Sequence, residues 1–193
     1  MKSIYQLLIV LGIIQLSSCE VLEQAQEYGR FMQCEFSFQN IEIIELGGIN
    51  ISSVKNPEDL DMMKLLALTN QVMSGSLPAK LKVNLNAKNN NTQKASIAGL
   101  DWQLMLKENE FLNGNITQRV EVQPNSMNTL PINTNIDLLK LIDSNSLDQL
   151  LNFAFSKDKR QAFKDLGVGL NVRPYYGLGT EVYKYPGYLK IDL

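Results

Sequence analysis

Between residues 77 and 87, Leu77, Ala79, Leu81, Val83, Leu85 and Ala87 alternate with Lys80, Lys82, Asn84 and Asn86, the signature of a strand with one buried and one wet face. Strands of parallel sheets are covered on both faces and read as unbroken apolar runs, so this alternation predicts an antiparallel sheet. The same period recurs along the chain. Phe36 and Phe38 are followed by Ile41 and Ile43 after a one-residue slip, which predicts a β-bulge. Gly47 and Gly48 end that strand, and Ile49, Ile51 and Val54 open another. Ile97, Leu100, Trp102, Leu104 and Leu106 mark a further strand, with a turn expected over residues 107–110. Short strands at 111–114 and 116–122, a turn at Pro124, Asn125 and Ser126, and the run Leu130, Ile132, Thr134, Ile136, Leu138 complete the series. Several short alternating strands in succession predict a mainly β fold, an antiparallel β-sandwich.

Two stretches break the period. Asn56, Pro57, Glu58 and Asp59 combine an amide cap, a proline at the first helical position and acids where the helix dipole favours them, so a helix inserted over residues 57–73 is expected, closed by Gly75. Its apolar stripe, Leu60, Met63, Leu66 and Ala67, is expected to face the core. Asp59 and Asp61 are read as capping residues, with no metal site. Past residue 141 a C-terminal extension, residues 142–193, is expected to hold a helix beginning at Ser146, with Leu147, Leu150, Leu151 and Phe155 on one face. Two strands follow it, at 166–172 and 181–191, which either pair as a hairpin or add to the sandwich edge.

Residues 1–18 carry a single charge, Lys2, ahead of an apolar run at residues 7–14, shorter than the roughly twenty apolar residues needed to span a bilayer. That is the layout of a secretory signal peptide. Leu16, Ser17, Ser18 and Cys19 then resemble the bacterial lipobox. The resemblance implies cleavage before Cys19 and a lipid anchor, including palmitate-type acyl chains, on that residue. One acyl chain binds a membrane only marginally, whereas two or more, at about 0.8 kcal/mol per buried methylene, hold it stably. Residues 19–32 are then a membrane tether, either a spacer or a short helix. The expected location is the cell envelope, with the domain from residue 33 in the periplasm or at the cell surface. With Cys19 acylated, Cys34 has no partner in the chain and is expected to be buried.

Composition narrows the chemistry. The chain has 18 basic and 20 acidic side chains, a net charge of −2, and loss of Lys2 with the signal leaves −3, so there is no basic footprint for a nucleic acid. Histidine is absent, which removes the commonest general base and the commonest catalytic zinc ligand. No enzymatic role, cofactor or metal is expected.

The strand order over residues 36–141 resembles the LEA type 2 (late embryogenesis abundant, water-stress and hypersensitive-response) domain. The parts that carry the resemblance are the opening strand at 36–46, the strand at 81–90, the pair at 97–104 and 111–114, and the closing strand at 130–138. Gly114 stands where that family has a glycine, while Asn89 and Asn90 stand in place of its Asn-Pro pair, and the helix at 57–73 is an insertion. The resemblance implies an immunoglobulin-like or fibronectin-like β-sandwich over residues 33–141, kinship with desiccation-stress proteins, and bacterial members that are often lipoproteins. It brings no active site.

Lys80, Lys82 and Lys88 share one face of a strand and suit either anionic lipid headgroups or plain solvation. Asn50, Asn90 and Asn115 fit glycosylation sequons, read as chance beside a bacterial lipobox. Tyr175, Tyr176, Tyr183, Tyr185 and Tyr188 cluster around Pro186 and Gly187, and tyrosine supplies rigid contact area at interfaces, so these five are the candidate partner surface. The function expected is a membrane-anchored structural or stress-protective module acting by non-covalent contact. The alternative is a lipoprotein that holds an apolar, lipid-like ligand or an envelope protein partner.

Overall fold

The computed structural model describes residues 20–142 and 146–192. The alternation at residues 77–87 becomes β3 (Pro78–Asn89), antiparallel to β8 (Ser126–Asp137) on one side and to β1 (Glu35–Leu46) on the other. With β2 (Ile49–Asn50) at its edge, the first sheet has the order β2-β1-β3-β8. Along β3 and β8, Val83 faces Ile132 and Leu85 faces Leu130. Such cross-strand apolar pairs contribute about 0.2–1 kcal/mol each relative to alanine pairs. The slip in β1 is a bulge at Gln39, which lets Phe38 and Ile41 both point inward. A second register shift, between Ile43 and Glu45, does the same for Ile43 and Leu46, and the spacing of three between those two residues is its trace in the sequence.

The second sheet contains β5 (Gly99–Leu106), β6 (Asn109–Ile116), β9 (Val168–Leu178) and β10 (Glu181–Lys184) in the order β10-β9-β5-β6, with β11 (Leu189–Ile191) also on β9. A two-stranded ribbon of β4 (Ala95–Ile97) and β7 (Val120–Val122) stands beside them. Every strand pairing among the described residues is antiparallel, and the fold is mainly β with helical insertions. Leu81, Val83 and Ile132 from one sheet and Trp102, Leu104 and Leu170 from the other join one buried cluster.

Several expectations change. The strand read through Ile97 to Leu106 is two, broken at Ala98, because β4 pairs with β7 while β5 pairs with β6 and β9. The turn after it is a two-residue hairpin at Lys107 and Glu108, both with positive φ (48° and 69°), so β6 begins at Asn109. The C-terminal strands form the hairpin, β9 with β10, but β9 is an interior strand of the sheet, between β10 and β5, and β10 takes the edge. The strand expected at 181–191 is divided into β10 and β11 around Pro186 and Gly187. Lys80, Lys82 and Lys88 sit on an interior strand, where Lys80 pairs with Glu45 (3.3 Å) and Lys88 with Glu35 (3.6 Å). Asn89 is fully buried, and its amide donates to the carbonyls of Gln93, Val122 and Gln123 at 2.9–3.2 Å, tying the turn after β3 to β7.

Residues 20–31 form helix α1. The inserted helix is a 3-10 turn at Pro57–Asp59 followed by α2 (Met62–Met73), capped by the Asp61 carboxylate on the Lys64 N–H at 2.9 Å. The break at Leu60 and Asp61 rotates the face of α2, so the expected stripe is wrong. Leu60 is buried in the turn, but Met63 (75% exposed) and Leu66 (51%) face outward while Leu68 (0%) and Val72 face the core. Leu68→Ala is therefore expected to cost about 3 kcal/mol in urea unfolding, and Met63→Ala less than about 0.5 kcal/mol; equal losses would restore the original stripe. Helices α3 (Leu138–Leu141) and α5 (Lys159–Asp165) were not expected, whereas α4 (Leu147–Ala154) buries Leu150 and Leu151 as its pattern predicts.

Candidate functional site

The five tyrosines do not form one surface. Side chains alternate across a strand, so β9 sends Arg173 and Tyr175 to one face of the sheet and Tyr176 to the other. On the first face Tyr175 is buried (7% exposed), its ring lying over Gly99, where a β-carbon would come within 3.1 Å of it. Its hydroxyl donates to Asp101 Oδ1, while Oδ2 accepts from Arg173 Nε (3.0 Å), Arg173 Nη2 (2.6 Å) and Lys184 Nζ (3.1 Å). Lys184 Nζ also stands 4.8 Å from the centre of the Tyr175 ring, and the Arg173 guanidinium lies 4.7 Å above Tyr188. Burial pushes the Asp101 carboxyl up, but the hydrogen bonds from Tyr175, Arg173 and Lys184 outweigh it and hold the group below the ordinary carboxylate range. A carboxylate saturated in this way stays charged and clamps three side chains together.

On the second face Tyr176 is held between Tyr28 of α1 (ring centres 4.7 Å apart) and Tyr183 of β10 (5.5 Å, nearly parallel). Tyr185 follows β10 half-buried, with its N–H bonded to the Pro174 carbonyl at 2.9 Å. Of the five, Tyr183 (46% exposed) and Tyr188 (36%) are the ones that present exposed ring area.

Helix α1 closes this end of the fold. Glu27 is buried and accepts from the Ser96 hydroxyl and from Arg119 Nη2, with Lys94 Nζ at 2.9 Å. Glu121 completes the group by pairing with Arg119 Nε at 2.8 Å and with Lys94 at 3.7 Å. Burial raises the Glu27 pKa, and the Ser96 hydrogen bond, with Lys94 and Arg119, more than reverses it. Gln24 accepts from the Gly179 N–H at 2.8 Å, fastening the helix to the hairpin tip. The Tyr28 hydroxyl is buried with no hydrogen-bond partner among the described residues, beside a cavity of about 280 Å³ that Arg119 and Val182 also line.

Asp101, Glu27, Arg173 and Lys184 carry the electrostatics of this end, and the sequence reading passed over them. Cys19 lies outside the described residues. Cys34 is buried with its thiol 3.6 Å from the Arg30 carbonyl oxygen, and burial pushes the thiol pKa up. Among the described residues no group of three acidic, cysteine or histidine side chains is placed to hold a metal ion, and no helix is long and apolar enough to cross a membrane.

Asp101→Asn is expected to lower stability by about 2 kcal/mol, because neutral amide contacts replace charged ones and one donor faces an N–H₂ group. Urea unfolding measures the loss, and an unchanged midpoint would show that the cluster contributes nothing to the fold.

No family model matches the chain, and no curated protein matches it. Solved structures similar to it include a protein from Archaeoglobus fulgidus (13% identity, 60% of this chain and 87% of that one, TM-score 0.31). Another is the solution structure of a protein described as late embryogenesis abundant (10% identity, 95% and 88%, TM-score 0.36). A third is a protein from Arabidopsis thaliana (11% identity, 82% and 81%, TM-score 0.34). These are loose likenesses, and the architecture described above stands on the strand pairing.

Proposed function

We propose that the chain is a bacterial envelope lipoprotein, anchored through Cys19, whose LEA type 2-like β-sandwich works without catalysis by contact at the membrane-proximal, tyrosine-rich end. The observation that carries this reading is the seating of α1. The helix is already formed at Glu20, the residue next to Cys19 in the chain, and is fixed to the sandwich by Glu27, Tyr28 and Phe31, so an anchor at Cys19 is followed by little free stalk. The domain is held close to the lipid, and the β9–β10 hairpin, bonded to Gln24, lies at the same end. Two acyl signals suffice for stable attachment. The LEA type 2 reading is supported by the order of alternating strands over residues 36–141 and by Gly114, which packs directly under Trp102. The non-catalytic reading is supported by the saturation of both buried carboxylates by donors.

Metabolic labelling with an alkynyl palmitate analogue tests the anchor. The native chain is expected to take up label and Cys19→Ser to take up none. Equal labelling of the two, or none in either, would contradict the proposal.

A further inference from the structure

A cavity of about 570 Å³ lies away from the tyrosine-rich end, between the edge formed by β1 and β2 and the junction of α4 with α5. Its lining is mixed, with an apolar part made by Ile43, Ile51, Val54 and Phe155 among polar and charged side chains. Its rim carries Lys55, Lys157 and Lys159 against one acid, Glu42, in a chain whose net charge is −2. Glu42 is engaged by the Asn40 amide at 2.8 Å. Among the described residues none of the three lysines has a carboxylate within 4.0 Å, whereas the other buried or half-buried charges described above are paired. Lys159 is half-buried, and its ammonium makes one bond, to the Ser156 carbonyl at 2.9 Å. Burial draws its pKa down, the mark of a cation taken from water without a counter-charge.

Ligand clefts pair an apolar lining with a few polar groups that fix one end of the bound molecule. From the apolar part of the lining and the three lysines without a carboxylate partner, we infer that this cleft binds an anionic amphiphile, an acyl chain bearing a carboxylate. The head lies among Lys55, Lys157 and Lys159, and the chain lies against Ile43, Ile51 and Phe155. A neutral alcohol of the same length lacks the attraction, and a bare small anion lacks the apolar contact. The inference is independent of the anchor on Cys19.

The test is titration calorimetry of decanoate, kept below micelle-forming concentrations, into the full chain carrying Cys19→Ser so that no attached acyl group competes. Residues 1–19 are then common to every protein compared. One saturable site is expected, weakened at least tenfold in Lys157→Gln/Lys159→Gln and at least tenfold when decanol replaces decanoate, with no heat from acetate. Lys55→Gln, at an exposed position, gives a second loss that does not depend on the half-buried Lys159, and thermal unfolding checks that each variant is folded. Equal binding of decanoate and decanol, binding unchanged in both variants, acetate binding as well as decanoate, or saturation by an acidic peptide but not by decanoate would each overturn the inference.

Discussion

Glu27→Ala is expected to lower the free energy of unfolding by about 3 kcal/mol, since breaking a buried charge cluster from one side leaves its partners without an acceptor. The carboxylate is buried and receives the Ser96 hydroxyl, Lys94 and Arg119, while Glu121 alone cannot neutralise both cations. Because Glu27 is also the link between α1 and β4, its loss should free residues 20–31 to exchange their amides faster than the sheets do. Glu27→Gln keeps an acceptor for Ser96 and should lose less. The pH dependence follows from the direction of the shift. The folded pKa of Glu27 lies below its unfolded value, so the stabilisation is complete above the unfolded value and is lost as pH falls through the folded one. Asp101 and Asp137 are shifted the same way, so the native chain should weaken steeply below the ordinary carboxylate range, and Glu27→Ala should show a shallower acid slope. Equal acid slopes in urea unfolding of the two proteins would remove Glu27 from the account.

Gly114→Ala is expected to cost about 3 kcal/mol, the upper end for forcing one methyl into a filled core. A β-carbon at residue 114 would stand 2.4 Å from Trp102 Cζ2 and 2.7 Å from Cε2, and the indole is itself buried between the sheets. The backbone there needs no positive φ, so alanine would otherwise be tolerated and the indole alone sets the cost. Placing the same change in a Trp102→Leu background should reduce its cost below about 1 kcal/mol, a coupling of the size seen between residues in contact. Additive losses in the double variant would mean that some other contact makes glycine necessary.

What the sequence disclosed follows from how far each signal reaches along the chain. The strand at residues 77–87 was legible because β3 lies between two partners and buries one face along its whole length, so every second residue reports the same environment. The bulge at Gln39 was legible for the same reason, as a slip in that count. The inserted helix was legible as a helix but not in its orientation. Residues 62–73 hold more apolar side chains than the domain covers, and a break at Leu60 and Asp61 decides which of them turn inward. The charged clusters were illegible for a different reason. Asp101 sits between Leu100 and Trp102, where alternation assigns it to solvent, but Arg173, 72 residues away, meets it only through the register of β5 on β9. Arg119 reaches Glu27 across 92 residues, beyond any local pattern. The tyrosines were visible as a cluster in sequence, yet strand alternation divides Tyr175 from Tyr176, which a count of aromatic residues does not register.

The central claim is that this sandwich is carried on a lipid at Cys19, and the intact mass of the chain recovered from the membrane fraction tests it directly. The account predicts a native mass that lacks residues 1–18 and exceeds the remaining polypeptide by the added acyl groups, a gain absent from Cys19→Ser. A native chain with no mass beyond its polypeptide, or the same added mass on Cys19→Ser, would contradict it.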